Sequence, residues 1–128
     1  TERIRFLCNQ AQPETVARYR DWVVEEGGHL DAVIVGDAID AAGAHPTMAA
    51  LLHDMLGSDR VRIYRYDGPV SVMLGLLDEV ASIVPLDDSG VPCAFIESES
   101  GPVRAWVSDT LGTYRDRAER VTLEDLPR

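Results

Sequence analysis

Polar side chains follow three segments of the chain that the residue pattern predicts to be neighbouring β-strands. Asn9 and Gln10 come directly after the first segment, Asp37 follows the second, and Tyr66 and Asp67 end the third. In an open α/β sheet, ligands bind beyond the carboxyl ends of parallel strands, so we expect these side chains to meet at one edge. This edge is the first candidate for a ligand site. The alternative is ordinary turn and helix-capping chemistry, which uses the same residue types.

A second candidate lies within the third predicted strand, where basic and aromatic side chains alternate. Arg60, Arg62, Tyr64 and Tyr66 are spaced two residues apart and therefore share one strand face. Guanidinium groups bind anions through paired hydrogen bonds, so this face is suited to an anionic ligand, and Tyr64 joins the candidate ligand residues. The alternative is an exposed strand face whose arginines pair with nearby carboxylates.

The sequence lacks the motifs that carry most known enzyme chemistry. It contains no G-x-G-x-x-G, no P-loop, no G-x-S-x-G and no H-E-x-x-H. His29, His45 and His53 show no metal-ligand spacing among themselves or with Cys8 and Cys93. Both cysteines lie in apolar runs and are expected to be buried in the core. We therefore expect no metal, no cofactor and no enzymatic activity.

The elements that would position these residues follow from periodicity and turn signals. A strand over 3–8, a helix from Pro13 to Gly27 and a strand over 30–35 predict a β-α-β unit with parallel strands and a right-handed crossover. Two helices follow, over 37–42 and from Pro46 to Gly57.

Four strands and a helix complete the predicted fold. The strands cover 60–66, 70–77, 80–86 and 91–97, and turn signals between them predict three consecutive hairpins. The last helix runs from 102 to about 120, with Arg115, Arg117 and Arg120 in its last turns. The order β-α-β-α-α-β-β-β-β-α predicts an α/β fold in which helices sandwich a mixed sheet. One domain is expected over 1–120, followed by a polar tail over 121–128.

The charge of the chain is unusual, because its basic residues are all arginines. Twelve arginines and no lysine face 22 carboxylates, which gives a net charge of −10. An acidic, lysine-free surface suits a salt-rich archaeal cytoplasm, and a GC-rich genome is the alternative explanation. The same charge disfavours direct contact with nucleic acid or an anionic membrane. No apolar run approaches the roughly 18 residues of a membrane-spanning helix, so we expect a cytoplasmic protein.

The chain resembles a known family over nearly its whole length. The segments 61–68, 72–78 and 86–90, with the closing helix over 103–119, are similar to the middle domain of archaeal winged-helix regulators of the methanogenesis-regulator (filamentation) type, which are abundant in haloarchaea. The resemblance implies a DNA-binding winged helix upstream of residue 1, a homodimer, and DNA contact only through that separate domain.

The resemblance also implies half of a phospholipase-D-type sandwich in degenerate form. The active motif of that fold is His-x-Lys-x4-Asp, and the matching positions here hold Ser71, Met73 and Asp78. A phosphohistidine mechanism needs the imidazole, so this copy is expected to be inert, and Ser71 is kept only as a candidate ligand residue.

Three functions remain at this point. The favoured one is a non-catalytic ligand-sensing or dimerisation domain of an archaeal transcriptional regulator, in which an effector near Asn9, Asp37 and Tyr66 biases an attached DNA-binding domain. The second is a stand-alone small-molecule-binding or adaptor protein. The third is a small phosphodiester hydrolase that uses Ser71, Asp78 and either Arg60 or Arg62.

The acidic composition predicts that folding depends on salt. We expect the chain to loosen or unfold in dilute buffer, because carboxylates repel one another when salt does not screen them. Circular dichroism against salt concentration measures this. Full secondary structure in dilute buffer would instead support the GC-rich genome as the reason for the missing lysines.

Overall fold

The structure, a computed structural model, describes residues 2–125 of the chain. The elements follow in this order: β1 (Arg3–Cys8), α1 (Pro13–Glu26), β2 (His29–Val35), α2 (Gly36–Ala44), α3 (Pro46–Leu56), β3 (Val61–Tyr66), β4 (Val72–Leu77), β5 (Val80–Pro85), β6 (Ile96–Ser98), α4 (Gly101–Asp116), β7 (Glu119–Val121) and a short 3-10 helix (Leu123–Asp125). The predicted α/β class and the order of the first ten elements are confirmed. Strand β7 was not predicted.

The seven strands form one mixed sheet in the order β6-β5-β4-β1-β2-β3-β7. Strands β1, β2 and β3 are parallel, as the β-α-β prediction requires, and the other pairs are antiparallel. The predicted hairpin between β3 and β4 is wrong, because β4 pairs with β1 on the far side of the parallel strands. Without β4, β1 would leave backbone N–H and C=O groups unpaired inside the core. Asp67 and Gly68 therefore begin a connection that runs past the ends of β2 and β1 to reach β4.

The predicted strand over 91–97 is also wrong over most of its length. Ile96–Ser98 forms the regular ladder with β5. Residues 91–95 are exposed and make only isolated contacts with the end of β5, at a bridge between Pro92 and Leu86 and a hydrogen bond from the Cys93 N–H to the Pro85 carbonyl. Pro92 has no N–H to donate to a strand ladder, which explains why regular pairing does not start there. Cys93 lies in this segment and is exposed, so the prediction that it is buried is wrong.

Helices cover both faces of the sheet. Helices α1, α2 and α3 cover one face, over a core that includes Ile4, Val23, Leu30, Leu52 and Ile63. Helix α4 covers the other face, over a core of Leu7, Val33, Leu74, Ala81, Val107 and Leu111. The sheet is therefore buried on both sides around its parallel strands, which explains their nearly continuous apolar sequences.

Local sequence signals account for the helix ends. Pro13 occupies the first turn of α1, and Gly27 ends that helix in the left-handed conformation, at φ 74°. Helix α4 ends at Asp116, so Arg115 lies in its last turn as predicted, whereas Arg117 and Arg120 lie beyond it, contrary to the prediction.

The chain continues in the sheet after α4. Val121 in β7 lies opposite Ile63 of β3 and is only 6% exposed. The core therefore extends past residue 120, where the sequence analysis placed the domain boundary. Residues 126–128 of the predicted tail lie outside the described residues. Within residues 2–125, no helix is long and apolar enough to cross a membrane.

Candidate functional site

A cavity of about 320 Å³ lies between the sheet and the layer of α1, α2 and α3. Alternate residues of the three parallel strands form its floor, because residues two apart share one strand face. The floor includes Phe6 and Cys8 of β1, Ala32 and Ile34 of β2, and Ile63 of β3. The helices form its walls. The cavity thus depends on the parallel β-α-β arrangement.

Small side chains leave the space that the cavity occupies. Ala32 lies between Phe6 and Ile63 on the floor, and Ala38 and Ala42 line the cavity from α2. A leucine or isoleucine at any of these positions would extend into the same volume. In the sequence these alanines are ordinary helix formers or apolar strand residues, so no local pattern indicates a cavity.

The polar groups of the cavity lie together at one end, which we call the mouth. Gln10 and Gln12 belong to the loop after β1, and Thr15 belongs to the first turn of α1. The mouth therefore lies at the carboxyl edge of the parallel strands, where the sequence analysis expected a ligand site. Deeper inside, the rings of Phe6 and Tyr19 contact each other with centroids 5.4 Å apart.

The two titratable side chains in the cavity wall are uncharged at neutral pH. Burial raises the pKa of the Cys8 thiol to about 11. Burial also raises the pKa of the Tyr19 phenol above its ordinary value. Among the residues that the structure describes, no acidic or basic side chain lines this cavity. The site is therefore apolar inside, with neutral hydrogen-bonding groups at its mouth.

The candidate residues of the parallel strand ends divide into two groups. Gln10 lines the cavity, whereas Asn9, Asp37, Tyr66 and Asp67 do not. The Asn9 amide donates to the Gly90 carbonyl at 3.0 Å, so it joins the first strand end to the loop between β5 and β6.

Three other candidates surround this edge without forming a pocket together. Asp67 accepts a hydrogen bond from Arg65, and Asp37 is exposed at the start of α2. Ser71 precedes β4, and β4 runs antiparallel to β1, so Ser71 reaches the same edge and is exposed there.

The anion-binding face suggested for residues 60–66 is not assembled. Arg60 donates to the Val23 carbonyl at 2.6 Å, away from Arg62. Tyr64 and Tyr66 face α4 on the other side of the sheet from the cavity, and the Tyr66 ring meets that of Tyr114 edge-on, with centroids 5.0 Å apart. These side chains contribute to packing.

The residues at the phospholipase-D motif positions are also separated. Ser71 and Asp78 flank opposite ends of β4, about 20 Å apart at the usual rise per strand residue. Asp78 accepts hydrogen bonds from the backbone N–H groups of Glu2 and Arg3, which lowers the pKa of its carboxyl. Met73 lines the cavity. This arrangement brings no catalytic pair together. In the described part of the chain, no group of three His, Cys, Asp or Glu side chains is arranged to hold a metal.

An ion-pair cluster that sequence reasoning missed holds α2 against the end of β3. Arg65 contacts Asp40 of α2 at 2.7 Å and Asp67 at 2.9 Å. Gly36 lets this ion pair lie against the start of α2, because a Cβ there would displace the Asp67 carboxylate and the Arg65 guanidinium. Since α2 carries Ala38 and Ala42, this cluster helps to position one wall of the cavity. The partners are far apart in sequence, so no local pattern connects them.

Three comparisons with known proteins complete the description of the site. A family model described as "Methanogenesis regulatory protein FilR1, middle domain" matches residues 1–117. One similar solved structure is TrmBL2, an archaeal chromatin protein, with a TM-score of 0.70 and 12% sequence identity. The alignment covers 94% of this chain and 45% of that chain, so the chain spans less than half of that structure. No curated protein sequence matches the chain.

The Arg65 cluster predicts a pH-dependent contribution to stability. We expect Asp40→Asn to lower the thermal unfolding midpoint near neutral pH, and this effect to vanish as the pH falls below about 4. Arg65 lowers the folded-state pKa of Asp40, so the pair stabilises the fold above the unfolded pKa and is lost as the pH falls through the folded one.

Differential scanning calorimetry of both proteins across this range is the measurement. Asp109→Asn, at an exposed position on α4, is the matched control for the loss of one carboxylate. A difference that persists unchanged in acid would contradict the assignment. A loss of thermal stability in Asp109→Asn equal to that in Asp40→Asn would also contradict the assignment.

Proposed function

The chain belongs to the family of FilR1 middle domains, and from this premise we propose that it is a non-enzymatic, ligand-sensing and dimerising domain of an archaeal transcription regulator. In this role a bound small molecule changes the relative stability of two conformations, and an attached DNA-binding domain responds to that change. We place the signal-receiving domain from the start of the chain through β7.

The observation that carries the proposal is the cavity and the position of its mouth. A ligand at the mouth would contact Gln10 and Gln12, which lie in the same loop as Asn9. Asn9 in turn holds Gly90 at the start of the exposed segment 91–95. Movement of the β1–α1 loop would therefore be transmitted to the surface of the domain through one defined hydrogen bond.

The exposed apolar surface beside β6 supports the dimerisation part of the proposal. Ile96 of β6 lies opposite Ile83 of β5, and Ile83 lines a shallow groove with Trp106 of α4. Phe95 is 65% exposed and Trp106 is 51% exposed. Apolar and aromatic side chains clustered at an unpaired sheet edge are typical of protein interfaces. A second copy of the chain is the proposed occupant, since winged-helix regulators commonly read palindromic operators as dimers.

DNA contact is assigned to a separate winged-helix domain upstream of residue 1. A net charge of −10 disfavours contact between this domain and phosphates. TrmBL2 is described as showing a novel mode of DNA binding, and more than half of that chain lies outside the part that resembles this one. We propose that a segment outside this domain contacts DNA, and that the protein lies in the cytoplasm of a salt-loving archaeon.

The second candidate is a stand-alone small-molecule-binding or adaptor protein. The cavity supports a stand-alone binding protein as well as it supports a regulator. The presence or absence of a DNA-binding domain in the full-length protein therefore distinguishes the two. The hydrolase alternative has less support, because Ser71 and Asp78 lie at opposite ends of β4.

The test uses the full-length gene product and two variants. We expect a helix-turn-helix before residue 1, a dimer by light scattering, and binding to a palindromic operator. Trp106→Glu should give monomers and weaken operator binding about tenfold or more, because it places a charge in the proposed interface. Val24→Glu is the matched control, at another exposed apolar position, on α1.

Two results would overturn the proposal. Absence of a DNA-binding segment upstream of residue 1 would favour the stand-alone protein. A Trp106→Glu protein that remains dimeric and binds DNA normally would remove the proposed interface.

A further inference from the structure

We infer that the cavity binds an uncharged, mostly apolar small molecule of about ten to fifteen non-hydrogen atoms, with its polar group at the mouth. This inference rests on the proposed sensing function and names the chemical class of its ligand. It differs from the expectation that polar side chains at the strand ends hold the ligand.

The size of the ligand follows from the volume. A cavity of about 150 Å³ lined by apolar side chains accommodates one benzene molecule. The cavity here, at about 320 Å³, has roughly twice that volume. It therefore suits a fused aromatic ring system or a medium-length aliphatic molecule.

The neutrality of the ligand follows from the lining. The chain carries twelve arginines and 22 carboxylates, yet no charged side chain is found among the cavity residues in the described part of the chain. An ion that entered this space would lose its hydration without gaining a partner of opposite charge. Arg65, a cation close to α2, is already held by Asp40 and Asp67.

The orientation of the ligand follows from where the neutral polar groups lie. Gln10, Gln12 and Thr15 supply donors and acceptors at the mouth. Inside, Phe6 and Tyr19 present aromatic surface beside aliphatic side chains. A ligand with an amide, hydroxyl or similar group on an apolar body would satisfy both ends of the cavity.

The two cysteines provide a reporter of binding within one molecule. Cys8 lines the cavity, whereas Cys93 is exposed on the segment after β5. Alkylation by iodoacetamide at about pH 9, which ionises a measurable fraction of the buried Cys8 thiol, followed by mass spectrometry of the two peptides, measures the reactivity of both thiols in the same sample. A ligand in the cavity should slow the reaction of Cys8 and leave that of Cys93 unchanged.

Two probes of nearly equal size, one neutral and one negatively charged, test the chemical class of the ligand. Indole-3-acetamide is neutral, and indole-3-acetate has the same shape with a carboxylate. At salt concentrations that keep the protein folded, we expect the amide to slow Cys8 alkylation about tenfold at saturation. We also expect the Kd of the amide to be lower than that of the acetate by a factor of about ten or more.

A matched pair of variants on α2 tests the location. Ala38→Trp places an indole ring in the cavity and should abolish the protection of Cys8 by the amide. Ala41→Trp, three residues away on the exposed side of the same helix, should leave the protection intact. Circular dichroism confirms that both variants are folded before they are compared.

The outcomes separate this inference from the proposed function. Protection of Cys8 by the amide alone, lost in Ala38→Trp and kept in Ala41→Trp, supports the inference. Equal protection by both probes, or protection by neither, overturns it. If neither probe protects Cys8 but a charged metabolite still changes operator binding by the full-length protein, the inference fails and the regulatory function stands. If the amide binds and the full-length protein has no DNA-binding domain, the inference about the ligand stands and the regulatory function fails.

Discussion

The pairing of β1 on both of its edges is the constraint on which the rest of the structure depends. This strand lies parallel to β2 on one side and antiparallel to β4 on the other. Successive side chains of β1 point to opposite faces of the sheet. Ile4, Phe6 and Cys8 face the layer of α1, α2 and α3, whereas Leu7 is fully buried on the face that α4 covers. Arg5 reaches α4 by donating to the Ser108 hydroxyl at 2.8 Å. A shift of one residue would exchange the two faces, so this register fixes both cores.

The same pairing brings the cavity mouth and the loop after β5 to one edge of the sheet. The parallel strands end where the cavity opens, and β4 begins there because it runs in the opposite direction. The Asn9 contact to Gly90 connects this edge to the exposed apolar segment next to β6. In the proposed function, a signal would cross only a short distance, from the neutral cavity to the exposed apolar segment, within a chain of net charge −10.

Local patterns in the sequence were sufficient for the elements but not for their partners. Period-two alternation and the Pro13 and Gly27 signals predicted the β-α-β unit and its parallel strands correctly. The Asp67-Gly68 turn signal is local, and it could not show that β1, about 60 residues earlier, would pair with β4. Strand β7 and the exposure of Cys93 were missed for a related reason. Both depend on which strands lie at the two edges of the sheet and can pair with a further segment of the chain.

The cavity opens at the edge where the sequence predicts a ligand site, but its lining differs from the predicted polar set. A search for polar side chains finds Asn9, Asp37 and Asp67, and only Gln10 of the predicted set lines the cavity. A cavity arises where side-chain volume is small, and Ala32 and Ala38 reach it from different elements. No spacing rule connects such residues before the fold is known.

The most direct measurement is a crystal structure of the protein with 4-bromobenzamide, a neutral aromatic amide whose bromine is located by its anomalous scattering. We expect a bromine peak inside the cavity, between Phe6, Ala32 and Ala38, with the amide at Gln10 and Gln12. A peak only at the exposed surface around Trp106, or no ordered bromine at saturating concentration, would contradict it.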